Sequence, residues 1–213
     1  MEMKSVSQAV GQMTKGDFPP LAVFVKNLIP GTFKTRIADE KGLAVAREVY
    51  IALLKITEKA VAHYPGEVFI YFNNSIPKTE DFSFFKKMAW RVQKGSDLGE
   101  RMSNAFAELL SNHSGAILIG SDCPVLNLDH LWMASEMLRQ NEVVFGPAED
   151  GGYYLIGMNR HYSQLFENIP WSTASVLDNS MRIAHQSQLS FDRLPVLYDV
   201  DKYSDWKRFI NSG

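Results

Sequence analysis

The sequence has a single cysteine, Cys123, and no long apolar run. One thiol cannot form an intrachain disulfide, which is typical of proteins from a reducing compartment. No stretch approaches the roughly 18 consecutive apolar residues that a membrane-spanning helix requires. The first residues lack the apolar core of a signal peptide. We therefore predict a cytoplasmic protein with no membrane partner.

Net charge is also nearly absent, because 22 Lys and Arg residues face 24 Asp and Glu residues in a chain of 213. The basic residues are scattered, so we expect no nucleic-acid partner. Neither the GxxxxGK[ST] pattern of P-loop proteins nor the GxGxxG pattern of dehydrogenases occurs. The five histidines show no zinc-ligand spacing. These absences argue against a P-loop enzyme, a dehydrogenase and a zinc enzyme.

Apolar runs and helical periodicities alternate along the chain. The predicted strands lie at 21–25, 68–72, 116–119, 143–145, 153–156 and near 194–198. The predicted helices lie at 4–14, 36–62, 80–89, from 98, at 128–140, 173–186 and from about 203. This alternation predicts one α/β domain over residues 1–213, a three-layer α/β/α sandwich with a mostly parallel central sheet.

Ligands of such sheets bind in the crevice outside the carboxyl ends of the strands, so the loops there are the places to look for chemistry. The first loop, residues 26–36, ends where a helix begins near Thr35. Free N–H groups at a helix start and cationic side chains both suit phosphate oxygens. The cationic side chains are Lys26, Lys34 and Arg36. The alternative is a turn at Pro30-Gly31 with solvated charges.

Three further loops carry aspartates. Asp122 follows the strand at 116–119, and because Asn127 is available to cap the next helix, Asp122 is free to bind a hard cation. Cys123 beside it has no neighbouring base and is interpreted as a packing residue. Asp199 and Asp201 alternate at the end of the last strand, where Asp201 or Ser204 could cap the final helix but both acids cannot.

The remaining aspartate, Asp150, lies in a Gly-rich turn. Asp150-Gly151 between two apolar runs is a hairpin signal that needs no ligand. Gly152 would in addition let a ligand approach the backbone closely. If all these loops meet, clustered acids face clustered bases, which suits a divalent metal and a phosphorylated ligand. Oxygen ligands without a Cys/His set favour Mg²⁺ or Mn²⁺.

Six motifs occur in an order that resembles a known family. They are Pro30-Gly31-x-x-Lys34-Thr35-Arg36, Gln93-x-Gly95-x-Asp97-Leu98-Gly99-x-Arg101-Met102, Gly120-Ser121-Asp122-Cys123-Pro124, Gly146-Pro147-x-x-Asp150-Gly151-Gly152-Tyr153-Tyr154, Pro170-Trp171-Ser172-Thr173 and Asp199-x-Asp201. The chain resembles the glycosyltransferase-A-like transferases associated with radical-SAM and selenium-related genes. That family belongs to the nucleotide-diphospho-sugar transferase superfamily.

The resemblance implies a role for each motif. Asp122 would hold the metal, with Asp201 as the second carboxylate and Asp199 beside it. The loop at 30–36 would cradle phosphates through Gly31, Lys34, Thr35 and Arg36, and Gln93, Gly95 and Arg101 would border the nucleotide. Asp150, Gly151, Gly152, Trp171 and Ser172 would lie on the acceptor side. Simple capping by Asp97 with Glu100, and by Ser172 or Thr173, is the alternative for two motifs. The glycine-rich entry loop of pyrophosphorylases is here reduced to Gly31.

Three functions follow from these motifs. The first is metal-dependent glycosyl transfer from a nucleotide-sugar to a small acceptor, with Asp122, Asp150 and Lys34 as catalytic residues. The second is nucleotidyl transfer from a nucleoside triphosphate to a sugar-phosphate or phospho-acid, with release of pyrophosphate. The third is a nucleotide-binding regulator without turnover. The basic loop favours nucleotidyl transfer, whereas the shortened glycine loop and the family resemblance favour glycosyl transfer, which we prefer.

Overall fold

The computed structural model describes residues 18–212. The helix predicted at 4–14 lies outside these residues. The strands are β1 (Leu21–Val25), β2 (Val68–Phe72), β3 (Ala89–Val92), β4 (Ala116–Ile119), β5 (Val143–Pro147), β6 (Tyr153–Met158) and β7 (Phe191–Arg193). The α-helices are α1 (Thr35–Lys41), α2 (Leu43–Val61), α3 (Leu98–Leu110), α4 (Leu128–Leu138), α5 (Val176–Gln186) and α6 (Tyr203–Asn211). Short 3₁₀ helices occupy Thr79–Phe85 and Ser163–Phe166.

The strands form one seven-stranded sheet in the order β3-β2-β1-β4-β6-β5-β7. Strand β6 is antiparallel to its neighbours β4 and β5, and the other pairs are parallel. Alternate residues of β1 enter two cores: Val23 packs with α2 and α4, and Ala22 packs with α3 and α5. Helices therefore cover both faces, which confirms the predicted three-layer, mostly parallel architecture.

The structure differs from the sequence-based elements in four places. The predicted helix at 36–62 is two helices, because Gly42 has a φ of 88° and breaks the helical path. The segment 80–89 is a 3₁₀ helix followed by β3. The helix predicted from 173 begins at Val176. The final strand is β7, and within the predicted 194–198 only Leu197 pairs, through an isolated bridge to Ala148.

Both misplaced strands lie at the edges of the sheet. Both outer strands are less buried than the central ones, so they need no continuous apolar run. The Ala-Trp-Arg-Val sequence of β3 and the Phe-Asp-Arg sequence of β7 both interrupt apolar residues with charge. Periodicity therefore finds the central strands more readily than the two outer ones. Among the described residues, no helix is long and apolar enough to cross a membrane.

Candidate active site

The loops that carry the predicted acids meet at the carboxyl rim of the sheet. Strands β1, β4 and β5 end there, and the antiparallel β6 begins there. The backbone N–H of Val200 donates to the carbonyl of Asp122 at 2.8 Å. This bond joins the loop after β4 directly to the segment that carries Asp199 and Asp201. The spatial convergence predicted from separate motifs is present in the molecule.

Lys34 connects the basic loop to this acidic centre. Its ammonium group lies 2.7 Å from Oδ1 of Asp122 and also donates to the carbonyl of Val200. Lys34 has a left-handed backbone (φ 45°), which directs a residue just before α1 back into the rim. The side chain is only 5% exposed, whereas that of Asp122 is 39% exposed. Lys34 is therefore an internal counter-ion, and Asp122 keeps an open side toward the crevice.

Asp199 shows the electrostatic character of the centre. Burial, reinforced by the negative charges of Asp122, Asp150 and Asp201, raises the pKa of the Asp199 carboxyl to about 7, against the opposing effect of Lys34. Burial disfavours a charged carboxyl, and like charges disfavour it further. The rim thus carries more negative charge than Lys34 neutralises.

Asp201 lies at the outer edge of the same cluster. Its carboxylate forms an ion pair with Arg36, and both side chains are more than half exposed. The N–H groups of Asp201 and Lys202 donate to the Asp205 carboxylate at 3.0 and 2.7 Å, so Asp205 fixes the start of α6. Neither Asp201 nor Ser204 is needed to cap that helix through its side chain, which leaves Asp201 available at the rim.

Asp150 forms the hairpin turn that its Asp-Gly sequence predicts. Its Oδ1 accepts from the N–H of Gly152 at 2.9 Å, and the N–H of Gly151 donates to Ala148 at 3.1 Å. Gly151 has a φ of 86°, and a Cβ there would overlap the carbonyl of Ala174. At Gly151 the close neighbour is therefore the protein's own backbone, and the approach of a ligand to Gly152 stays a prediction.

The loop after β3 is held mainly by backbone acceptors. Gln93 Nε2 donates to the carbonyl of Tyr71 at 2.8 Å, and Arg101 Nε donates to that of Gly95 at 3.1 Å. Gly95 has a φ of 141° and lies against the backbone of Arg101. Asp97 caps α3 by accepting from the N–H of Glu100 at 2.9 Å. These contacts shape a loop at the rim, next to the loops after β1 and β2.

Trp171 and Ser172 lie between that loop and the hairpin turn. The indole of Trp171 lies so close to the buried Gly99 that a Cβ on this glycine would overlap it. Ser172 is exposed and has a φ of 65°. The N–H of Leu177, in α5, donates to the carbonyl of Gly151 at 2.9 Å. The segment 170–177 therefore packs against Gly99 and Gly151, which belong to two separate motifs.

The basic loop contains contacts that the sequence did not reveal. Asn27 is buried; its N–H donates to Asn73 Oδ1 at 2.8 Å and its amide to the Ser75 carbonyl at 2.9 Å, which ties the loops after β1 and β2 together. Tyr50 of α2 bonds both backbone groups of Lys26. A polar residue directly after a strand was the only signal for Asn27, and nothing marked Tyr50. The outer part of the loop, with Lys26, Gly31, Thr35 and Arg36, is exposed.

The acids at the rim offer oxygen ligands to a divalent metal. Within residues 18–212 no three His, Cys, Asp or Glu residues form a complete ligand group. Mg²⁺, however, is commonly held by one or two carboxylates together with substrate phosphates and water. The open side of Asp122 and the exposed carboxylate of Asp201 supply hard oxygen donors, and the buried Asp199 carboxyl lies near both. The residues fit a cation that shares its coordination with a phosphorylated substrate.

Comparison with known proteins identifies the family. A family described as "Uncharacterized protein conserved in bacteria (DUF2064)" matches residues 56–173, more than half of the chain. The chain belongs to DUF2064. No curated protein matches it significantly.

Several solved structures have a fold similar to that of this DUF2064 chain. A protein from Desulfovibrio desulfuricans G20, provisionally named a nucleotide-diphospho-sugar transferase, is 27% identical, with a TM-score of 0.80 over 89% of this chain and 84% of that one. A CMP-2-keto-3-deoxy-manno-octonic acid synthetase in complex with CTP is 10% identical (TM-score 0.57; 90% and 96% covered). Rv0371c from Mycobacterium tuberculosis H37Rv, in complex with manganese, is 14% identical (TM-score 0.55; 92% and 100% covered).

These similarities confirm the superfamily and the fold class predicted from the motifs. The name of the 27%-identical neighbour agrees with the prediction that this DUF2064 chain is a transferase that uses a nucleotide. At these identities the more distant neighbours establish only the shared fold. The roles of individual residues stay predictions.

Proposed function

We propose that this DUF2064 chain is a metal-dependent transferase that moves a glycosyl group from a nucleotide-sugar to a small acceptor. One solved structure of similar fold, 27% identical to this chain, is provisionally named a nucleotide-diphospho-sugar transferase. The observation that carries the choice of glycosyl transfer is the position of Lys34, whose ammonium group is buried against Asp122 and Val200.

Lys34 bears on the type of transfer because the two reactions expel different groups. Nucleotidyl transfer expels pyrophosphate, which calls for several free cations in the entry loop. Here Lys34 pairs with Asp122 and Arg36 pairs with Asp201, so Lys26 is the one cation of the predicted three that pairs with no acid in residues 18–212. Glycosyl transfer expels a nucleoside diphosphate whose charge a divalent cation can neutralise. The acid-rich rim, which suits a divalent cation, therefore supports glycosyl transfer.

In this proposal Asp122 and Asp201, with Asp199 beside them, hold Mg²⁺ or Mn²⁺, which when bound neutralises charge on the departing diphosphate. Lys34 holds one oxygen of Asp122 and so orients the other toward the crevice. Arg36 and Lys26 flank the phosphates from the exposed loop, and Gln93, Gly95 and Arg101 shape the nucleotide side. The turn at Gly151-Gly152 and the segment with Trp171 and Ser172 border the acceptor.

Asp150 is the proposed base. Its carboxylate is exposed at the tip of the hairpin turn and is oriented by the N–H of Gly152. The acceptor oxygen bonds to the anomeric carbon while the bond from that carbon to the diphosphate breaks. The electron pair leaves with the nucleoside diphosphate, and the acceptor proton passes to Asp150.

The experiment is an incubation of the protein with panels of sugar nucleotides and nucleoside triphosphates, with Mg²⁺ or Mn²⁺ and small hydroxyl acceptors. Release of nucleoside diphosphate that requires an acceptor is the expected result. Release of pyrophosphate from a triphosphate would instead establish nucleotidyl transfer, the second candidate, which the exposed Lys26 favours. Nucleotide binding without either product would identify a regulator.

A further inference from the structure

Helix α6 reaches back to the turn that carries Asp150 through one side chain. The Arg208 guanidinium forms two parallel hydrogen bonds to Glu149, NH1 to Oε2 at 2.7 Å and NH2 to Oε1 at 2.9 Å. The same guanidinium carbon lies 3.8 Å from the ring centroid of Tyr198. One planar group therefore binds two residues from different parts of the chain, by hydrogen bonds on one and by stacking on the other.

Both partners of Arg208 are sequence neighbours of predicted site acids. Glu149 immediately precedes Asp150, and Tyr198 immediately precedes Asp199. Two backbone hydrogen bonds already join these stretches: Glu149 N–H donates to Leu197 at 2.9 Å, and Leu197 N–H donates to Pro147 at 3.0 Å. Arg208 closes this short ladder at the end next to the acids.

We propose that Arg208 is a positioning residue that fixes the turn bearing Asp150 against the segment bearing Asp199. Its role in the reaction rests on the proposed function; the fixing of the two segments does not. The side chains of Arg208 and Glu149 are 53% and 49% exposed, and exposed ion pairs contribute little to global stability. The consequence of Arg208 is therefore expected in the local geometry of the rim rather than in whether the chain folds.

The other end of the helix supports the same conclusion. Asp205 accepts from the backbone of Asp201 and Lys202, so α6 holds the acidic segment at its start and the hairpin turn through Arg208 three residues later. Lysine cannot replace Arg208, because an ammonium group offers neither the planar fork for Glu149 nor the flat face for Tyr198.

The test compares Arg208→Gln and Arg208→Lys with a matched control, Arg91→Gln. Arg91 also joins a glutamate, Glu108 at 3.1 Å, and also lies over an aromatic ring, that of Phe69 at 5.2 Å, but it belongs to the edge strand β3. Hydrogen exchange of peptides spanning 147–152 and 196–200 shows, without any substrate, how firmly the two segments are held. Steady-state kinetics with the active donor show whether this local order affects turnover.

Both Arg208 variants are expected to raise amide exchange in the two peptides by roughly tenfold or more, with no such change in Arg91→Gln. We expect kcat to fall by about tenfold with the donor KM within about twofold of wild type, because the donor side is built from other loops. Arg208→Lys should not restore kcat. If Arg208 served only stability, lysine would restore kcat. The variants would then not show a lower kcat together with an unchanged KM.

Exchange that rises only within α6, or in neither peptide, would overturn the proposal. Raised exchange in both peptides with unchanged kcat would also overturn the positioning role while leaving the transferase proposal intact. If the wild-type protein turns over no donor, the transferase proposal fails, and raised exchange in both peptides still supports the fixing of the two segments by Arg208.

Discussion

Lys34 and Asp122 meet at 2.7 Å although they come from loops that follow different strands, β1 and β4. The ammonium group is almost wholly shielded from solvent, and the carboxylate is not. One oxygen of Asp122 is thereby fixed inside the protein, and the other side of the carboxylate stays accessible from the crevice. The pair links the basic loop to the acidic centre without closing the site.

Asp122→Asn is expected to reduce metal-dependent turnover by roughly 100-fold or more, because an amide retains the size of the side chain but loses the charge that holds a cation. Turnover is measured with the donor identified in the product assay, across a range of Mn²⁺ concentrations. Circular dichroism of the variant checks that the fold is intact. A folded variant with wild-type turnover would remove Asp122 from the metal site.

The ion pair of Lys34 and Asp122 should couple more strongly than a surface pair. A double-mutant cycle with Lys34→Met and Asp122→Asn is expected to give a coupling of roughly 1–3 kcal/mol in the free energy of unfolding. The same cycle on Arg91 and Glu108, whose side chains are 43% and 39% exposed, should give less than about 1 kcal/mol. Urea unfolding measures both cycles, and equal couplings would contradict the internal role of Lys34.

Gly151→Ala should be more destabilising than Gly42→Ala. Both glycines have a positive φ, 86° and 88°, but a Cβ at Gly42 meets nothing within 4 Å, whereas one at Gly151 overlaps Ala174. The backbone conformation alone is expected to cost about 1–3 kcal/mol at either position. Overpacking should add roughly 1–3 kcal/mol at Gly151. Thermal and urea unfolding of the two variants measure the difference, and equal losses would show that the Ala174 contact yields easily.

Glu142 should stabilise the protein only above acidic pH. Hydrogen bonds from the N–H of Ser190 and the hydroxyl of Tyr162 lower the pKa of this carboxyl in the folded state. A lowered folded-state pKa gives stability that is present above the unfolded pKa of about 4.3 and is lost as the pH falls through the folded value. Wild type should therefore exceed Glu142→Gln in unfolding free energy at pH 7, and the gap should close near pH 3.

The control for Glu142 is Glu48→Gln. Glu48 is exposed on α2 and its side chain has no partner in the part of the chain that the structure describes. Its substitution should leave the pH dependence of stability unchanged. A gap between wild type and Glu142→Gln that persists at pH 3 would mean that the substitution acts through packing rather than charge.

The Cys123 thiol should not react in the folded protein at neutral pH. Burial, together with the nearby Asp199 carboxylate, raises the pKa of this thiol to about 12, and its residue is 6% exposed. The thiolate is the reactive form, so both access and ionisation oppose modification. Titration with a chromogenic disulfide reagent should find one thiol in urea and none in buffer at pH 7.5. Rapid reaction in buffer would contradict this burial.

The sequence predicted those features that depend on residues adjacent in the chain. Asp122 follows the end of β4, so its position at the carboxyl rim could be predicted. Asp199 and Asp201 were placed at the same rim from a strand predicted at 194–198, whereas β7 ends at Arg193 and only an isolated bridge at Leu197 precedes these acids. The turn at Asp150-Gly151 depends on four consecutive residues, so it could also be predicted. Single-domain organisation and cytoplasmic location stay predictions.

The features that escaped prediction depend on distant partners. The left-handed backbone of Lys34 and its buried pairing require the loops after β1 and β4 to be already in place. The packing of Gly99 under Trp171 and of Gly151 against Ala174 joins segments far apart in the chain. The motifs marked these glycines as unusual, but only the fold shows that part of their role is to seat another loop.

The reversed direction of β6 makes the 148–152 turn a junction between several parts of the rim. Among the described loops that follow β1, β4 and β5 at the carboxyl rim, it alone both begins and ends there, because β6 returns directly beside β5. The turn also contacts two helices, since the N–H of Leu177 in α5 donates to Gly151 and Arg208 of α6 binds Glu149. A change in the length of this hairpin would therefore disturb α5 and α6 together, which makes it a costly place for an insertion.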